Sequence, residues 1–424
     1  MAVIRPFHAL RYNTERFPDL AAVLAPPYDV IDAGYQQELY GRDAHNVIRL
    51  EYGVINDADT EADNRYTRAR EALTTWTADE TLVLEEQAAI YPHEQRFDWD
   101  GTAYARKGFF AAVELQPFDA GIVCAHEWTL AGPKADRLKL MSTCETSFSP
   151  VFGLYDGKNT RLGELLKAAM AQAPLATAVG NGFDDSLWRV TDAEICAEIS
   201  QALATRQIVI ADGHHRYETM LAMRDQLRAK YPAAPANAAF NYAFMELVDI
   251  SDPGLLMLST HRLLLLTPPM CAAFCQVAVA FEQEALADTT PEALLAALAA
   301  HPDEHAFIWY ADGAATLLTL PSGTINGLPQ PDVEKLRSDL IAPLLAADGG
   351  SVEGNVRYTV DAATALARVD SGEANAAILM NYMPVADVLT LAGAGVRMPQ
   401  KSTYFYPKIP TGLVMHKQAG VVVG

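Results

Sequence analysis

At residues 207–218 the chain reads Gln207-Ile208-Val209-Ile210-Ala211-Asp212-Gly213-His214-His215-Arg216-Tyr217-Glu218, and the fold class follows from this segment. It opens with a short apolar run, which is typical of a buried strand. Asp212-Gly213 then predicts a turn, and a helix begins directly after it and continues to about Lys230. Four apolar side chains mark the buried face of that helix: Tyr217, Met220, Leu221 and Leu227. A strand that passes directly into a helix indicates a mixed α and β protein.

The start of this helix is a candidate phosphate site. Backbone N–H groups and the positive end of the helix dipole favour anions there, and Gly213 lets the backbone approach a ligand closely. The turn His214–Arg216 places cationic or donor side chains where cations oppose the dipole. In the structural alternative, Asp212 and Glu218 compensate these positive charges by local ion pairs. In the functional alternative, a bound phosphate compensates them, and Asp212 or a histidine acts as acid or base. A metal site is the weaker alternative, because adjacent histidines usually point apart.

The phosphate hypothesis makes Arg216 a functional group that opposes its own helix. Its replacement by alanine should then leave stability unchanged or slightly raised, since a cation in the first turn costs up to about 1 kcal/mol. A large loss of stability would instead indicate a structural ion pair with Asp212 or Glu218.

The overall charge of the chain argues against some classes of binding partner. The 424 residues include 53 acidic and 32 basic side chains, a formal net charge of −21. This balance argues against a protein that coats nucleic acid or an anionic membrane. The most apolar stretch, 263–281, is interrupted by two prolines and is too broken to span a bilayer.

The five cysteines are an odd number and have no CxxC spacing, so we expect no disulfide framework and a cytoplasmic location. Cys271 and Cys275 are four residues apart and would share one helix face. Free cysteines with this spacing are more often packed in a core than bound to a metal. We therefore predict that both are buried and that the chain has no metal site.

The end of the chain differs in charge from the rest. Residues 388–424 contain no acidic side chain but include Arg397, Lys401, Lys408 and Lys417. Two of these lysines flank an aromatic segment, which predicts a packed strand that presents them to an anionic ligand. We therefore expect Lys401 or Lys408 to lie near the Asp212–Arg216 turn.

Two further motifs place a histidine beside a charged residue near a strand end: His126-Glu127-x-Thr129 and Ser259-Thr260-His261-Arg262. Asp29 follows a Pro-Pro-Tyr corner. Each of these residues has a structural alternative, because lone histidines and turn aspartates are usually structural. The sequence lacks GxSxG, GxxxxGK[ST], GxGxxG and HExxH, so the common hydrolase, P-loop, Rossmann and zincin assignments have no support.

These motifs, in order, resemble a bacterial and archaeal family known as domain-of-unknown-function family 1015. The resemblance is carried by Ala25-Pro26-Pro27-Tyr28-Asp29-Val30, His126-Glu127-x-Thr129, Lys134-x-Asp136-Arg137, Ser149-Pro150, Ala211-Asp212-Gly213-His214-His215-Arg216-Tyr217, Asp252-Pro253-Gly254-Leu255, Thr260-His261-Arg262 and Met398-Pro399-x-Lys401-Ser402-Thr403-Tyr404-Phe405-Tyr406-Pro407-Lys408. The resemblance extends over nearly the whole chain but implies no activity by itself.

The Asp-Gly-His-His-Arg turn also resembles the nucleotide-handling signature of the ParB/sulfiredoxin superfamily, which includes the free-serine kinases. This resemblance implies that Gly213–Arg216 binds phosphates, with Arg216 as the clamp. Sulfiredoxin has a reactive cysteine where this chain has His214, so its redox chemistry is not implied. The resemblance implies an α+β fold with a ParB/sulfiredoxin-like core at residues 1–265. A small α+β subdomain is predicted at 266–354, and 355–424 should return to the core.

The leading hypothesis is a phosphotransferase or phosphohydrolase that acts between a nucleotide or pyrophosphate and a small hydroxylated metabolite, with serine or phosphoserine favoured. The alternative is a nucleotide-binding switch or adaptor without turnover. The predicted catalytic residues are Asp29, Glu127, Asp212, His214 and His215. The predicted phosphate-binding residues are Gly213, Arg216, His261, Arg262, Lys401, Ser402 and Lys408. Mg²⁺ is the cofactor that such a nucleotide or pyrophosphate would bring.

Overall fold

The computed structural model describes residues 1–129, 131–158, 160–180, 182–325 and 327–424. The strands, in chain order, are β1 (Ile4–Arg5), β2 (Ala9–Tyr12), β3 (Leu82–Leu84), β4 (Tyr91–Trp99), β5 (Thr102–Glu114), β6 (Val123–Cys124), β7 (Thr146–Ser147), β8 (Val151–Tyr155), β9 (Ala176–Gly180), β10 (Phe183–Leu187), β11 (Ile208–Asp212), β12 (Tyr242–Asp249), β13 (Leu256–Met257), β14 (His261–Leu264), β15 (Glu282–Leu286), β16 (Glu304–Ala311), β17 (Ala314–Pro321), β18 (Thr324–Ile325), β19 (Leu328–Pro329), β20 (Val356–Thr359), β21 (Ala376–Met380), β22 (Phe405–Tyr406) and β23 (Met415–Lys417). The α-helices are α1 (Ala33–Arg42), α2 (Ile48–Glu51), α3 (Arg65–Ala78), α4 (Ala131–Cys144), α5 (Leu162–Met170), α6 (Ala193–Leu203), α7 (His214–Lys230), α8 (Pro268–Val277), α9 (Pro291–Ala299), α10 (Asp332–Leu336), α11 (Ala342–Ala346), α12 (Val352–Asn355), α13 (Ala362–Asp370) and α14 (Val385–Gly393). Within these ranges, no helix has the length and apolarity that a membrane crossing requires.

The chain divides into two compact units. The first comprises Met1–Ala125, Thr129–Leu256 and Pro407–Gly424. The second comprises His126–Trp128 and Met257–Tyr406. This division differs from the predicted subdomain at 266–354, because β14, β20 and β21 all belong to the central sheet of the second unit. Only the last eighteen residues return to the first unit, rather than everything after residue 354.

The first unit contains a large mixed sheet. Nine described strands take part, in the order β6, β11, β8, β12, β5, β4, β10, β9, with β1 paired to β5. β11 runs parallel to β6 and antiparallel to β8. Its apolar residues, 208–211, are all buried, which explains their unbroken apolar run. The predicted strand in this position is therefore confirmed.

Helix α7 follows β11 after one residue, as predicted, and ends at Lys230. Tyr217, Met220 and Leu227 are buried, but Leu221 is only half-buried. Met223 is buried in its place. The spacing of three and four residues from Met220 to Leu227 keeps this stripe on one face of the helix.

The second unit is built on a six-stranded sheet in the order β15, β17, β16, β21, β14, β20. Alternate residues of β16 enter different apolar clusters: Phe307 packs in one, and Ile308 packs in the other. This alternation is the period of two that a strand covered on both faces requires. The turn at Asp312-Gly313 joins β16 and β17 in an antiparallel hairpin. With helices and sheets in both units, the predicted α+β class is confirmed.

Helix α8 corrects the prediction made for its cysteines. Cys271 and Cys275 are both exposed. The buried side of α8 is instead carried by Met270 and by Phe274, whose ring stacks 4.0 Å from that of Trp309. The helix turns its cysteines outward because larger apolar side chains fill the space against the sheet.

Gly254, in the turn after β12, lies close to the backbone of β5, and we expect Gly254→Ala to destabilise the protein. A Cβ atom there would lie 2.4 Å from the Ala105 carbonyl and from the Arg106 nitrogen. Relief of such a clash requires a backbone shift, which costs about 3 kcal/mol. The measurement is the urea midpoint. The matched control is Gly163→Ala in α5, where a Cβ meets nothing within 4 Å. Equal midpoints for the two variants would contradict this description of the turn.

Candidate functional site

The turn between β11 and α7 depends on Gly213. Its φ of 90° and ψ of 28° lie in the left-handed region, which favours glycine. A Cβ at this position would also lie 2.9 Å from Cζ and Nε of Arg216. Glycine therefore permits both the turn and the path by which the Arg216 side chain folds back over it.

The Asp212 carboxylate joins two cations from distant parts of the sequence. Lys408 Nζ donates to Asp212 Oδ1 at 2.8 Å, and Arg216 Nη2 donates to Asp212 Oδ2 at 2.5 Å. Arg216 Nη1 also donates to the carbonyl oxygen of Pro150. We call Asp212, Arg216 and Lys408 the Asp212 cluster. Its side chains are only 6–18% exposed and carry one net positive charge.

The charge state of Asp212 follows from these two neighbours. Burial raises the pKa of Asp212, but the charges of Lys408 and Arg216 outweigh burial and hold that pKa well below its ordinary value. The carboxylate therefore stays ionised at any physiological pH, and it is a weak proton acceptor. This geometry favours Asp212 as the anchor of two cations over the predicted role of Asp212 as a base.

His215 is the titratable group of the turn with the more favourable properties for proton transfer. Burial lowers its pKa below the ordinary value, while the charge of Glu218 opposes this shift and that of Lys134 adds to it. Glu218 Oε2 accepts hydrogen bonds from Lys134 Nζ and Thr129 Oγ1, each at 2.7 Å. The charge of Asp29 also acts on His215. A half-buried imidazole with a lowered pKa is neutral at pH 7 and available as a proton acceptor.

A second buried ion pair supports the turn that contains Tyr28. Arg137 Nη1 donates to Glu51 Oε1 at 3.1 Å, and the Arg137 guanidinium lies 4.2 Å from the centre of the Tyr28 ring. Ser149 Oγ donates to the same Glu51 oxygen at 2.9 Å. Burial raises the pKa of Tyr28 to about 12, and the charge of Arg216 opposes that shift. Tyr28 and Asp29 therefore belong to the surroundings of the Asp212 cluster.

The remaining predicted residues come together in the second unit. Glu127 Oε1 accepts the backbone N–H of Ser402 at 3.1 Å, and Arg262 Nη2 donates to the Lys401 carbonyl at 3.2 Å. Burial lowers the pKa of Arg262 to about 10. Burial and the charge of Arg262 lower the pKa of His261 to about 4. This second cluster thus contains a buried cation beside a neutral histidine.

The structure divides the predicted residues between the two units. The first unit holds Asp29, Asp212, Gly213, His214, His215, Arg216 and Lys408. The second unit holds Glu127, His261, Arg262, Lys401 and Ser402. The predicted approach of a C-terminal lysine to the turn is confirmed for Lys408. The functional roles of these residues remain predictions.

Three groups near the turn were not predicted as site residues: Glu51, Lys134 and Arg137. The sequence could have indicated two of these residues, since Lys134 and Arg137 lie in one of the family motifs. Nothing in the sequence indicated Glu51, because it ends a four-residue helix and belongs to no recognisable motif. Among the described residues, no three histidine, cysteine, aspartate or glutamate side chains are grouped as metal ligands.

Arg216→Ala gives a sharp test of the ion pair, and the expectation of unchanged stability is corrected by the structure. The substitution leaves the buried Asp212 carboxylate with one cation instead of two, and we expect a loss of about 3 kcal/mol. Arg42→Ala is the control, because Arg42 forms an exposed ion pair of the same i, i+4 spacing with Glu38. It should change stability by less than about 0.5 kcal/mol. Chemical denaturation that finds both variants equally stable would contradict a buried, stabilising pair.

Solved structures of three other proteins are distantly similar to this chain. No curated protein sequence is significantly similar to this chain. A conserved hypothetical protein from Pyrococcus furiosus has 14% identity and a TM-score of 0.38, covering 72% of this chain and 95% of its own. A free serine kinase in complex with AMP has 14% identity and a TM-score of 0.37, covering 72% and 92%. SbnI from Staphylococcus aureus has 7% identity and a TM-score of 0.35, covering 73% and 87%.

The sequence motifs anticipated the family assignment. Their resemblance to domain-of-unknown-function family 1015 ran from the Pro-Pro-Tyr-Asp corner to the C-terminal lysines. The family described as "Protein of unknown function (DUF1015)" matches residues 4–339, which is well over half of the sequence. The chain therefore belongs to the DUF1015 family.

Proposed function

We propose that this protein transfers a phosphoryl group between a nucleotide or pyrophosphate and a small hydroxylated metabolite. The observation that carries the proposal is the Asp212 cluster, where two cations share one carboxylate at the first turn of a 17-residue helix. The helix dipole adds partial positive charge at the same point. Phosphoryl transfer depends mainly on positioning and on neutralising phosphate charge, which such a site would supply.

A phosphate at this turn would contact both cations of the Asp212 cluster. Arg216 and Lys408 carry two positive charges against the single negative charge of Asp212. A phosphate group has the forked oxygens that a guanidinium matches. In this proposal Asp212 holds both cations in position, and the backbone of Gly213–Arg216 binds the transferred phosphate or its neighbour.

His215 is the proposed proton acceptor. Its lowered pKa keeps the imidazole neutral at pH 7. In the transfer, the metabolite oxygen forms a bond to phosphorus, the bond from phosphorus to the bridging oxygen breaks, and the hydroxyl proton passes to His215. The leaving group departs as the nucleotide with one phosphate fewer, or as phosphate when pyrophosphate is the donor. Asp29 is proposed to stabilise the imidazolium that forms, because its negative charge raises the pKa of His215.

The metabolite is less well specified than the phosphate. Serine or phosphoserine is favoured because the Asp-Gly-His-His-Arg turn resembles the superfamily that contains the free-serine kinases. The second cluster, with Glu127, Arg262 and Lys401, is proposed as a separate binding site for an anionic group, since its guanidinium is buried. His261 and Ser402 belong to the same proposal.

A resident divalent metal does not fit the Asp212 cluster. Magnesium ions prefer carboxylate and phosphate oxygens. Both oxygens of Asp212 already accept hydrogen bonds from cations, and the described chain has no cluster of three acidic or histidine ligands. Any Mg²⁺ would therefore arrive as the complex of the nucleotide or pyrophosphate, and no step of the proposal depends on it.

A nucleotide-binding switch without turnover is the second candidate. It is favoured by the strongly lowered pKa of Asp212, which makes the carboxylate at the centre of the cluster a poor proton acceptor. If His215 does not accept a proton, the same cations would bind phosphate and release it unchanged.

Phosphorus NMR separates these possibilities. The purified protein is incubated with serine and each of ATP, ADP and pyrophosphate, and with phosphoserine alone. We expect a new phosphomonoester resonance with loss of the donor, or inorganic phosphate from phosphoserine. Broadened donor resonances without product in any mixture would favour the switch. Spectra unchanged by the protein would overturn both candidates.

The pH dependence of turnover tests His215. Because burial lowers its pKa, we expect kcat/KM to fall only at pH values below the ordinary imidazole value of about 6.5. His215→Gln should reduce kcat about 100-fold or more and abolish that acidic limb. His301→Gln is the control, since His301 pairs with Glu304 in the second unit. A His215→Gln enzyme with normal rate and an unchanged acidic limb would exclude His215 as the base.

A further inference from the structure

The segment that carries Lys408 is held in place from the large sheet. Arg106 Nη1, on β5, donates to the carbonyl oxygen of Pro407 at 2.6 Å. Arg106 Nη2 donates to Oε1 of Gln95, its cross-strand partner on β4, also at 2.6 Å. The guanidinium lies 4.9 Å from the centre of the Phe152 ring. One arginine thus connects two sheet strands to the residue directly before Lys408.

Arg106 is an unusual residue for this place. It is 1% exposed, and among the described residues no carboxylate lies within ion-pair distance of it. Burial lowers its pKa, and the more distant charges of Glu246 and Asp185 oppose that shift. Burial of a cation without a direct counter-ion costs several kcal/mol, so an apolar side chain would serve packing better. The forked donors of the guanidinium therefore point to a role that packing alone does not explain.

The geometry restrains Lys408 on both sides. The ring of Pro407 fixes its φ angle, so a hydrogen bond to its carbonyl also fixes the peptide plane that leads into Lys408. On the other side, Gln95 Nε2 lies 3.5 Å from the Lys408 carbonyl oxygen, at the limit of a hydrogen bond. Because the backbone of Lys408 is held in this way, its side chain is directed at Asp212.

We propose that Arg106 is a positioning residue that acts through the Pro407 carbonyl to hold Lys408 against Asp212. Its effect on phosphate ligands rests on the proposed function, whereas its effect on Lys408 does not. Arg106 does not touch the phosphate in this proposal. It keeps one of the two cations of the Asp212 cluster in the position where a phosphate would meet it.

The first experiment tests the positioning without reference to any activity. Reductive methylation followed by mass spectrometry reports how accessible each lysine amine is. In the unmodified protein Lys408, 10% exposed and paired with Asp212, should react slowly. Arg106→Gln should raise its rate about tenfold or more, while Arg96→Gln, a charge loss at an exposed position of β4, should not. An unchanged Lys408 rate in a folded Arg106→Gln protein would overturn the proposal.

The second experiment is a double-mutant cycle on pyrophosphate affinity, measured by calorimetry. Arg106→Gln and Lys408→Met should each weaken binding at least about tenfold. If Arg106 acts only through Lys408, the double variant should bind no more weakly than Lys408→Met alone. Multiplied losses would show that Arg106 acts by another route and would overturn the proposal.

The two experiments separate failure of this inference from failure of the proposed function. If Lys408→Met binds pyrophosphate normally, the phosphate site is wrong, yet the methylation result still decides whether Arg106 positions Lys408. If Arg106→Gln does not fold, Arg106→Lys replaces it, because lysine keeps the charge but lacks the fork that joins Pro407 to Gln95. Arg106→Lys should raise Lys408 methylation as well, and an unchanged rate would overturn the proposal.

Discussion

One carboxylate between two cations joins distant parts of the first unit. Asp212 accepts hydrogen bonds from Arg216 four residues later and from Lys408 near the end of the chain. Through this contact, a sheet strand, a helix start and the C-terminal segment meet at one point. The arrangement is stable because each charge has a partner, and it retains one excess positive charge that a phosphate would neutralise. Gly213 permits it by leaving room for the Arg216 guanidinium.

The local part of this arrangement could be predicted from the sequence. An apolar run followed by Asp212-Gly213 and an amphipathic helix is a short-range pattern, and the structure has the strand and helix in the expected places. The approach of Lys408 was predictable for another reason, since an acid-free basic segment in a strongly acidic chain needs an anionic partner. The identity of that partner, Asp212, was not predictable, because it depends on tertiary contacts.

Long-range features had no comparable signal. The extent of the second unit was missed because its sheet takes β14, β20 and β21 from segments separated by inserted helices. Arg106 was missed because an arginine in a long strand is expected to be exposed. This arginine is buried and donates a hydrogen bond to the Pro407 carbonyl. For Arg216 the sequence left open both a cation that opposes the helix dipole and an ion pair with Asp212 or Glu218, and the structure shows the pair with Asp212.

A crystal structure of the protein with pyrophosphate would decide whether phosphate binds at the Asp212 cluster. We expect phosphate oxygens within hydrogen-bond distance of Lys408 Nζ or the Arg216 guanidinium, next to the backbone of the Gly213 turn. Pyrophosphate bound at another place, with the Asp212–Lys408 and Asp212–Arg216 contacts unaltered and no ligand beside them, would overturn the proposed phosphate site.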